Sequence, residues 1–213
     1  MKKSEMPILY SFRRCPYAIR ARLALLVAQQ TVVLREIVLR DKPKEFLNTS
    51  PSETVPCLVL KDEVIDESLD IMIWALKIKD PKNWLKMPDN GYEIIKMIDN
   101  EFKDLLDKTK YSTRYANEDV TENRKCAVNI LIKLEESMRG KYLFSDEPSL
   151  CDIAIFPFVR QFAFIDKAFF DNLGWRKLSA WLDSFIESKL FIECQHKFKQ
   201  WHPADLEVHF PLK

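Results

Sequence analysis

Glycine is scarce in this chain, with three glycines against eleven prolines in 213 residues, and that balance predicts a helix-rich body with few glycine turns. Neither sign of charge is in excess, because 33 Lys and Arg face 32 Asp and Glu and leave a net charge of +1. The composition therefore gives no reason to expect a nucleic acid or an acidic membrane as a partner.

Long apolar runs are also absent. The longest candidate, residues 153–164, is interrupted by Pro157, Arg160 and Gln161, so we expect no segment that spans a membrane. The N-terminus carries no apolar stretch of signal-peptide length and no small-residue cleavage site. These two absences lead us to expect a cytoplasmic protein.

The five cysteines are scattered and odd in number, which argues against a disulfide framework. No pair of them has the spacing of metal ligands, and the histidines stand near the C-terminus without a cysteine cluster. We therefore expect no bound metal. We expect the three histidines to lie on the surface: His196, His202 and His209.

The pattern of apolar residues divides the chain into two domains. Residues 1–79 alternate strand and helix patterns in the order βαβαββα, which predicts a small α/β sheet domain with helices on its faces. Two prolines and two asparagines within residues 80–90 indicate a linker. Residues 91–213 show helical periodicity with almost no strand pattern, which predicts an all-helical bundle domain.

The helical region has one well-marked helix start at Ser149. The Ser149 side chain can accept a hydrogen bond from the backbone of residue 152, and the Asp152 carboxylate can reach back, which is a capping box. The residues that follow are apolar on nearly every side, so we expect this helix to run through the middle of the helical half. Further helices are predicted over residues 175–186 and 190–198.

One stretch near the N-terminus indicates sulfur chemistry. A strand pattern over residues 8–12 is followed by Cys15 and then by Pro16, which suits the first position of a helix. Three apolar residues recur behind it at helical spacing: Ile19, Leu23 and Leu26. This order predicts that Cys15 lies where the free N–H groups and the positive end of a helix dipole point.

Such surroundings stabilise a thiolate, which is the reactive form of cysteine. Arg13 and Arg14 add positive charge nearby, either as thiolate stabilisers or as solvated charges. The alternative for Cys15 is a small buried hydrophobe, the ordinary role of a free cysteine. The remaining cysteines have that ordinary pattern, within apolar runs: Cys57, Cys126, Cys151 and Cys194.

Four separate motifs resemble one family. They are Cys15-Pro16-Tyr17 at a helix start, Thr54-Val55-Pro56 before a strand, Glu67-Ser68 at the next helix start, and the segment that opens with Ser149. Together they resemble a cytosolic glutathione transferase, most closely the cysteine-bearing, omega-like type. The resemblance implies a thioredoxin-like glutathione-binding domain, followed by a helical domain that supplies much of the wall for the second substrate.

The resemblance also implies a glutathione site. Val55 and Pro56 would be joined by a cis peptide bond, and the backbone of Val55 would pair with the cysteinyl part of glutathione. Glu67 would bind the γ-glutamyl ammonium, while Ser68 and the helix N-terminus would receive its carboxylate.

Two further residues complete the implied site. Lys42 matches a lysine that faces the glycine carboxylate in omega-like members, and Tyr17 stands beside Cys15 at the pocket. Glutathione is thus expected as a co-substrate, without a metal.

The motif holds one cysteine, because Ala18 stands where a dithiol enzyme has its second. The hypothesis is a monothiol cycle, in which Cys15 reduces a glutathione mixed disulfide or an acceptor such as dehydroascorbate. A second hypothesis is conjugation of glutathione to an electrophile, activated by the hydroxyl of Tyr10 or Ser11. A third is a non-catalytic binding module. Because many members of this family form dimers, a homodimer is one of the assemblies that the resemblance implies.

Overall fold

The computed structural model describes residues 6–212, which form two compact units. The first unit runs to Lys82 and resumes at Ser188, and the second is Asn83–Glu187. The sequence-based boundaries, 1–79 and 91–213, stay a prediction about the domains. The compact units differ from them at the C-terminal end, where residues from Ser188 onward pack with the sheet unit.

The first unit begins with seven elements in the predicted βαβαββα order. They are β1 (Ile8–Ser11), α1 (Pro16–Val27), β2 (Val32–Glu36), α2 (Lys44–Thr49), β3 (Cys57–Val59), β4 (Val64–Ile65) and α3 (Ser68–Ile78). The strands lie in the order β4-β3-β1-β2, with β1 parallel to β2 and antiparallel to β3. A right-handed crossover through a helix is the usual way to join two parallel strands such as β1 and β2. The thioredoxin-like mixed α/β fold is thereby confirmed.

Helix α1 is buried along almost its whole length. Pro16 occupies its first turn as predicted, and Cys15 is the N-cap. The buried set includes Arg22, whose side chain is 0% exposed and forms an ion pair with Glu36 of β2. A buried cation is costly unless it is paired, and apolar periodicity alone does not predict this pair.

The C-terminal segment adds a fifth strand to the sheet. Helix α10 (Lys189–Cys194) ends earlier than the helix predicted over 190–198, and β5 (His209–Phe210) pairs antiparallel with β2. Between them, the backbone N–H of Trp201 donates to the Glu36 carbonyl at 2.7 Å. The segment therefore covers an edge of β2 that would otherwise present unpaired backbone groups.

The second unit is helical, as predicted. Its α-helices are α4 (Asn90–Met97), α5 (Lys103–Lys110), α6 (Val120–Ser137), α7 (Leu150–Ala163), α8 (Lys167–Asn172) and α9 (Arg176–Ile186). A π-helical turn, Ile98–Phe102, joins α4 to α5. The predicted capping box at Ser149 and Asp152 is present, and the residues of α7 up to Val159 are buried. No helix within residues 6–212 is long and apolar enough to cross a membrane.

Candidate active site

Cys15 lies at the junction between β1 and α1. Its backbone is extended, its N–H donates to the Phe12 carbonyl at 2.9 Å, and its carbonyl accepts from Ile19 at 2.9 Å. The side chain is half-buried, and the Sγ lies 3.5 Å from the Val55 carbonyl oxygen. The thiol therefore has partial access to solvent at the positive end of a twelve-residue helix.

The loop before β3 supplies the backbone that faces this thiol. The Val55–Pro56 peptide bond is cis, as predicted, and both residues are buried. Asp66 holds this loop in place, because its carboxylate accepts hydrogen bonds from the Ser50 hydroxyl at 2.8 Å and from the Ser52 N–H at 2.6 Å. These bonds fix the approach of the chain to Val55, and sequence reasoning did not identify Asp66.

Lys42 lies against the same loop. Its Nζ donates to the Glu53 carbonyl at 2.9 Å, and its side chain is half-buried. A flexible lysine held in this way keeps two further N–H donors on its ammonium group. Lys42 thus places a positive charge beside the loop that precedes Val55.

Glu67 and Ser68 open α3. Glu67 is exposed at the N-cap position, whereas Ser68 is the first helical residue and is 2% exposed. The Ser68 Oγ accepts a hydrogen bond from Arg20 Nε at 3.0 Å. Arg20 is also 2% exposed, and its guanidinium carbon lies 5.0 Å from the centre of the Tyr17 ring. Arg20 thereby links Tyr17 on α1 to Ser68 on α3.

The two hydroxyls considered for conjugation are engaged inside the sheet. Tyr10 is 1% exposed, and its hydroxyl is hydrogen-bonded to Arg35. Burial raises the pKa of Tyr10, and the Arg35 charge offsets only part of that effect. Ser11 is 0% exposed, and its Oγ accepts from Arg22 Nε at 2.8 Å. Neither hydroxyl is presented to a ligand.

Glu36 anchors the loop that carries Cys15. One carboxylate oxygen accepts from the Arg13 N–H at 2.6 Å, and the other pairs with Arg22. The Arg13 carbonyl accepts from the Gln195 side chain at 3.5 Å. The sequence signal that could have found this network is a pair of arginines two positions apart, Arg20 and Arg22, inside an apolar helix.

The other cysteines differ from Cys15 in exposure. Cys57 is 0% exposed, and burial raises its pKa to about 12. Burial also raises the pKa of Cys151, while the Cys194 Sγ donates to the Ile19 carbonyl at 3.6 Å. Cys126 is half-buried. The described residues contain no group of three His, Cys, Asp or Glu side chains that could hold a metal ion.

Several solved structures share this fold. A glutathione transferase family member from Pseudomonas fluorescens pf-5, solved with two glutathione bound, matches with a TM-score of 0.77 and 16% identity, covering 92% of this chain and 94% of that one. Glutathione transferase Omega 3C from Trametes versicolor matches with a TM-score of 0.74 and 18% identity, covering 93% and 92%. At sequence identities this low, the similarity shows a shared fold and no more.

Comparison of sequences identifies the family. Glutathione S-transferase L1 from Arabidopsis thaliana is 29% identical over 188 residues, which is 82% of this chain and 76% of that protein. Residues 9–83 match the family model "Glutathione S-transferase, N-terminal domain", and residues 117–184 match "Glutathione S-transferase, C-terminal domain". Because the two models together match more than half of the sequence, the chain belongs to the glutathione S-transferase superfamily.

Proposed function

We propose that this protein is a glutathione-dependent thiol transferase of the cysteine-bearing, omega-like type, and that Cys15 is its nucleophile. The observation that carries the proposal is the position of the Cys15 Sγ, half-buried at the N-terminus of α1 and 3.5 Å from the Val55 carbonyl. A helix N-terminus favours the thiolate over the thiol. Partial exposure leaves room for a disulfide to approach.

The reaction is two successive thiol–disulfide exchanges. In the first, the Cys15 thiolate attacks the glutathione sulfur of a mixed disulfide, forms a Cys15–glutathione disulfide and releases the acceptor as a thiolate. In the second, the thiolate of another glutathione attacks that glutathione sulfur, forms oxidised glutathione and restores the Cys15 thiolate. The net reaction consumes one free glutathione, because the other half of the oxidised glutathione comes from the mixed disulfide. Dehydroascorbate is a second candidate acceptor, and its two-electron reduction to ascorbate would consume two glutathione molecules and yield one oxidised glutathione.

Glutathione would lie along the loop before β3. The backbone N–H and carbonyl of Val55, next to Pro56, would pair with its cysteinyl residue as an added strand. The ammonium of Lys42 would face the glycine carboxylate, and Tyr17 would line the pocket beside the thiol.

The γ-glutamyl end would lie at the start of α3. Glu67 would bind its ammonium, and Ser68 with the helix N-terminus would bind its carboxylate.

Conjugation by a protein hydroxyl is the weaker hypothesis. Tyr10 and Ser11 are buried, and each hydroxyl is already bonded to an arginine. Comparing turnover of a small disulfide with turnover of an aromatic halide separates the two activities. Faster turnover of the halide would favour conjugation.

The direct test is intact-mass analysis after incubation with oxidised glutathione. Wild type should gain the mass of one glutathionyl group and lose it on addition of reduced glutathione, whereas Cys15→Ser should gain none. Cys126→Ser is the matched control, because Cys126 is also half-buried, and it should behave like wild type. Equal labelling of Cys15→Ser and wild type would place the nucleophile elsewhere. Failure to bind immobilised glutathione would favour the non-catalytic module.

A further inference from the structure

The loop before β3 has a backbone conformation that its own sequence does not favour. Glu53 has a positive φ of 54°, and the left-handed region is costly for residues that carry a Cβ. A residue stays in this region only where the surrounding structure imposes it. The contacts that impose it therefore decide where the loop lies.

Two side chains hold this loop from outside. Lys42 makes a single contact, from a flexible side chain to the Glu53 carbonyl. Asp66 makes two, because one carboxylate oxygen accepts from the Ser50 hydroxyl at 2.8 Å and the other accepts from the Ser52 N–H at 2.6 Å. Hydrogen bonds to a charged group are the stronger kind, so Asp66 is the main external support of the loop.

The hydrogen bonds inside the loop begin at the same two serines. The Ser50 carbonyl accepts from the Glu53 N–H at 3.2 Å, and the Ser52 Oγ accepts from the Thr54 N–H at 3.2 Å. Asp66 thus fixes the two residues from which the turn is built. The turn ends one residue before the cis peptide bond.

Asp66 also faces the residue that follows the cis peptide bond. Burial first, and then the Asp66 carboxylate, raise the pKa of the Cys57 thiol to about 12. The carboxylate therefore contacts the chain on both sides of Val55 and Pro56. It is itself one residue before Glu67, at the start of α3.

We propose that Asp66 is a positioning residue, which presets the Val55 backbone for an extended peptide and fixes its separation from Glu67 and Ser68. This inference rests on the proposed function, since it explains how the two glutathione-binding segments are held in register. Asp66 acts through the loop, so it contributes to the affinity for glutathione and not to the reactivity of Cys15.

The test measures two quantities for each variant. They are the Kd for reduced glutathione, by isothermal titration calorimetry, and the rate at which iodoacetamide alkylates Cys15 without glutathione, by peptide mass mapping. Asp66→Ala should raise the Kd by about tenfold, because binding must then restore the left-handed turn. Alkylation should not slow, because Cys15 keeps its place at α1 and its thiol loses only the acceptor at Val55.

Three further variants sharpen the test. Asp66→Asn has the same shape and keeps one acceptor oxygen, so it should recover part of the affinity even where Asp66→Ala does not fold. Asp62→Ala is the matched control, because it removes an exposed acidic charge between β3 and β4, and it should bind glutathione like wild type. Glu53→Asn should improve binding more in the Asp66→Ala background than in wild type, since asparagine tolerates the left-handed region.

The outcomes separate the two proposals. A wild type that binds no glutathione overturns the proposed function and this inference with it. A wild type that binds, with Asp66→Ala binding equally well, overturns this inference alone. So does an Asp66→Ala variant in which alkylation of Cys15 slows by the same factor as binding weakens, since a generally loosened unit affects both. An equal loss in Asp62→Ala, or an equal gain from Glu53→Asn in both backgrounds, would also overturn it.

Discussion

Replacing Asp152 by alanine should strongly destabilise the second unit. The Asp152 carboxylate is 0% exposed and is surrounded by buried N–H donors. One oxygen accepts from the Leu143 N–H and from the Trp181 ring N–H, each at 2.9 Å, and the other accepts from the Ser149 N–H at 2.8 Å. The carboxylate therefore joins the loop before α7, the start of α7, and α9.

The magnitude follows from the donors left behind. The Ser149 hydroxyl, which also donates to Asp152 at 2.7 Å, can rotate away, but the three N–H donors cannot. Each buried donor without a partner costs about 1–3 kcal/mol, so the three N–H groups give a loss of roughly 3–6 kcal/mol after partial relaxation. A domain has a total stability of about 5–15 kcal/mol, so Asp152→Ala should retain only a small margin. Asp152→Asn keeps one acceptor oxygen but turns an amide N–H₂ toward a donor, and it should lose about half as much.

Urea unfolding followed by far-UV circular dichroism measures these losses, with tryptophan fluorescence as a second probe. Asp146→Ala is the control, because its exposed carboxylate also accepts from a backbone N–H, that of Lys141, at 3.0 Å. It should cost less than about 1 kcal/mol, since water replaces the lost bond. If Asp152→Ala were no more destabilising than Asp146→Ala, the argument from buried donors would be refuted.

Two further predictions concern the first unit and the cysteines. In the native protein, a small maleimide at pH 8 should label Cys15 and Cys126, because both are half-buried. Cys57 should stay unlabelled even at pH 9, because burial raises its pKa to about 12. Labelling of Cys57 at the rate of Cys126 would contradict this prediction. Trp201→Ala should lower the free energy of unfolding in urea by about 3–5 kcal/mol. Trp201 is 9% exposed, and the centre of its ring lies 4.2 Å from the Arg35 guanidinium carbon. A loss below about 1 kcal/mol would mean that the C-terminal segment contributes little to the stability of this unit.

Local signals in the sequence were enough to predict the helix starts. A proline at the first helical position predicts where α1 begins, and the Ser149–Asp152 spacing predicts a capping box, both of which are present. Such signals involve residues within one turn of each other, so they can be recognised without the fold.

Contacts between distant residues could not be recognised in this way. Strand β5 has only two residues and no alternating pattern, so its pairing with β2 depends on a backbone edge that only the folded sheet creates. Trp201 reaches Glu36 across 165 positions of sequence. The sequence-based interpretation predicted a helix over residues 190–198 and no strand after it, so the pairing of residues 209–210 with β2 was not predicted.

The buried arginines of α1 show how part of the missed network could have been inferred. Side chains two positions apart on a helix point to different sides, so Arg20 and Arg22 must meet different partners. Arg20 bonds to Ser68 on α3, and Arg22 pairs with Glu36 on β2. Since a charged side chain in a helix that is otherwise buried needs a partner, each arginine predicts an acceptor elsewhere in the chain. Ser68 belongs to the proposed γ-glutamyl site, and Glu36 holds the loop that carries Cys15. The two arginines therefore connect helix α1 to both parts of the proposed site.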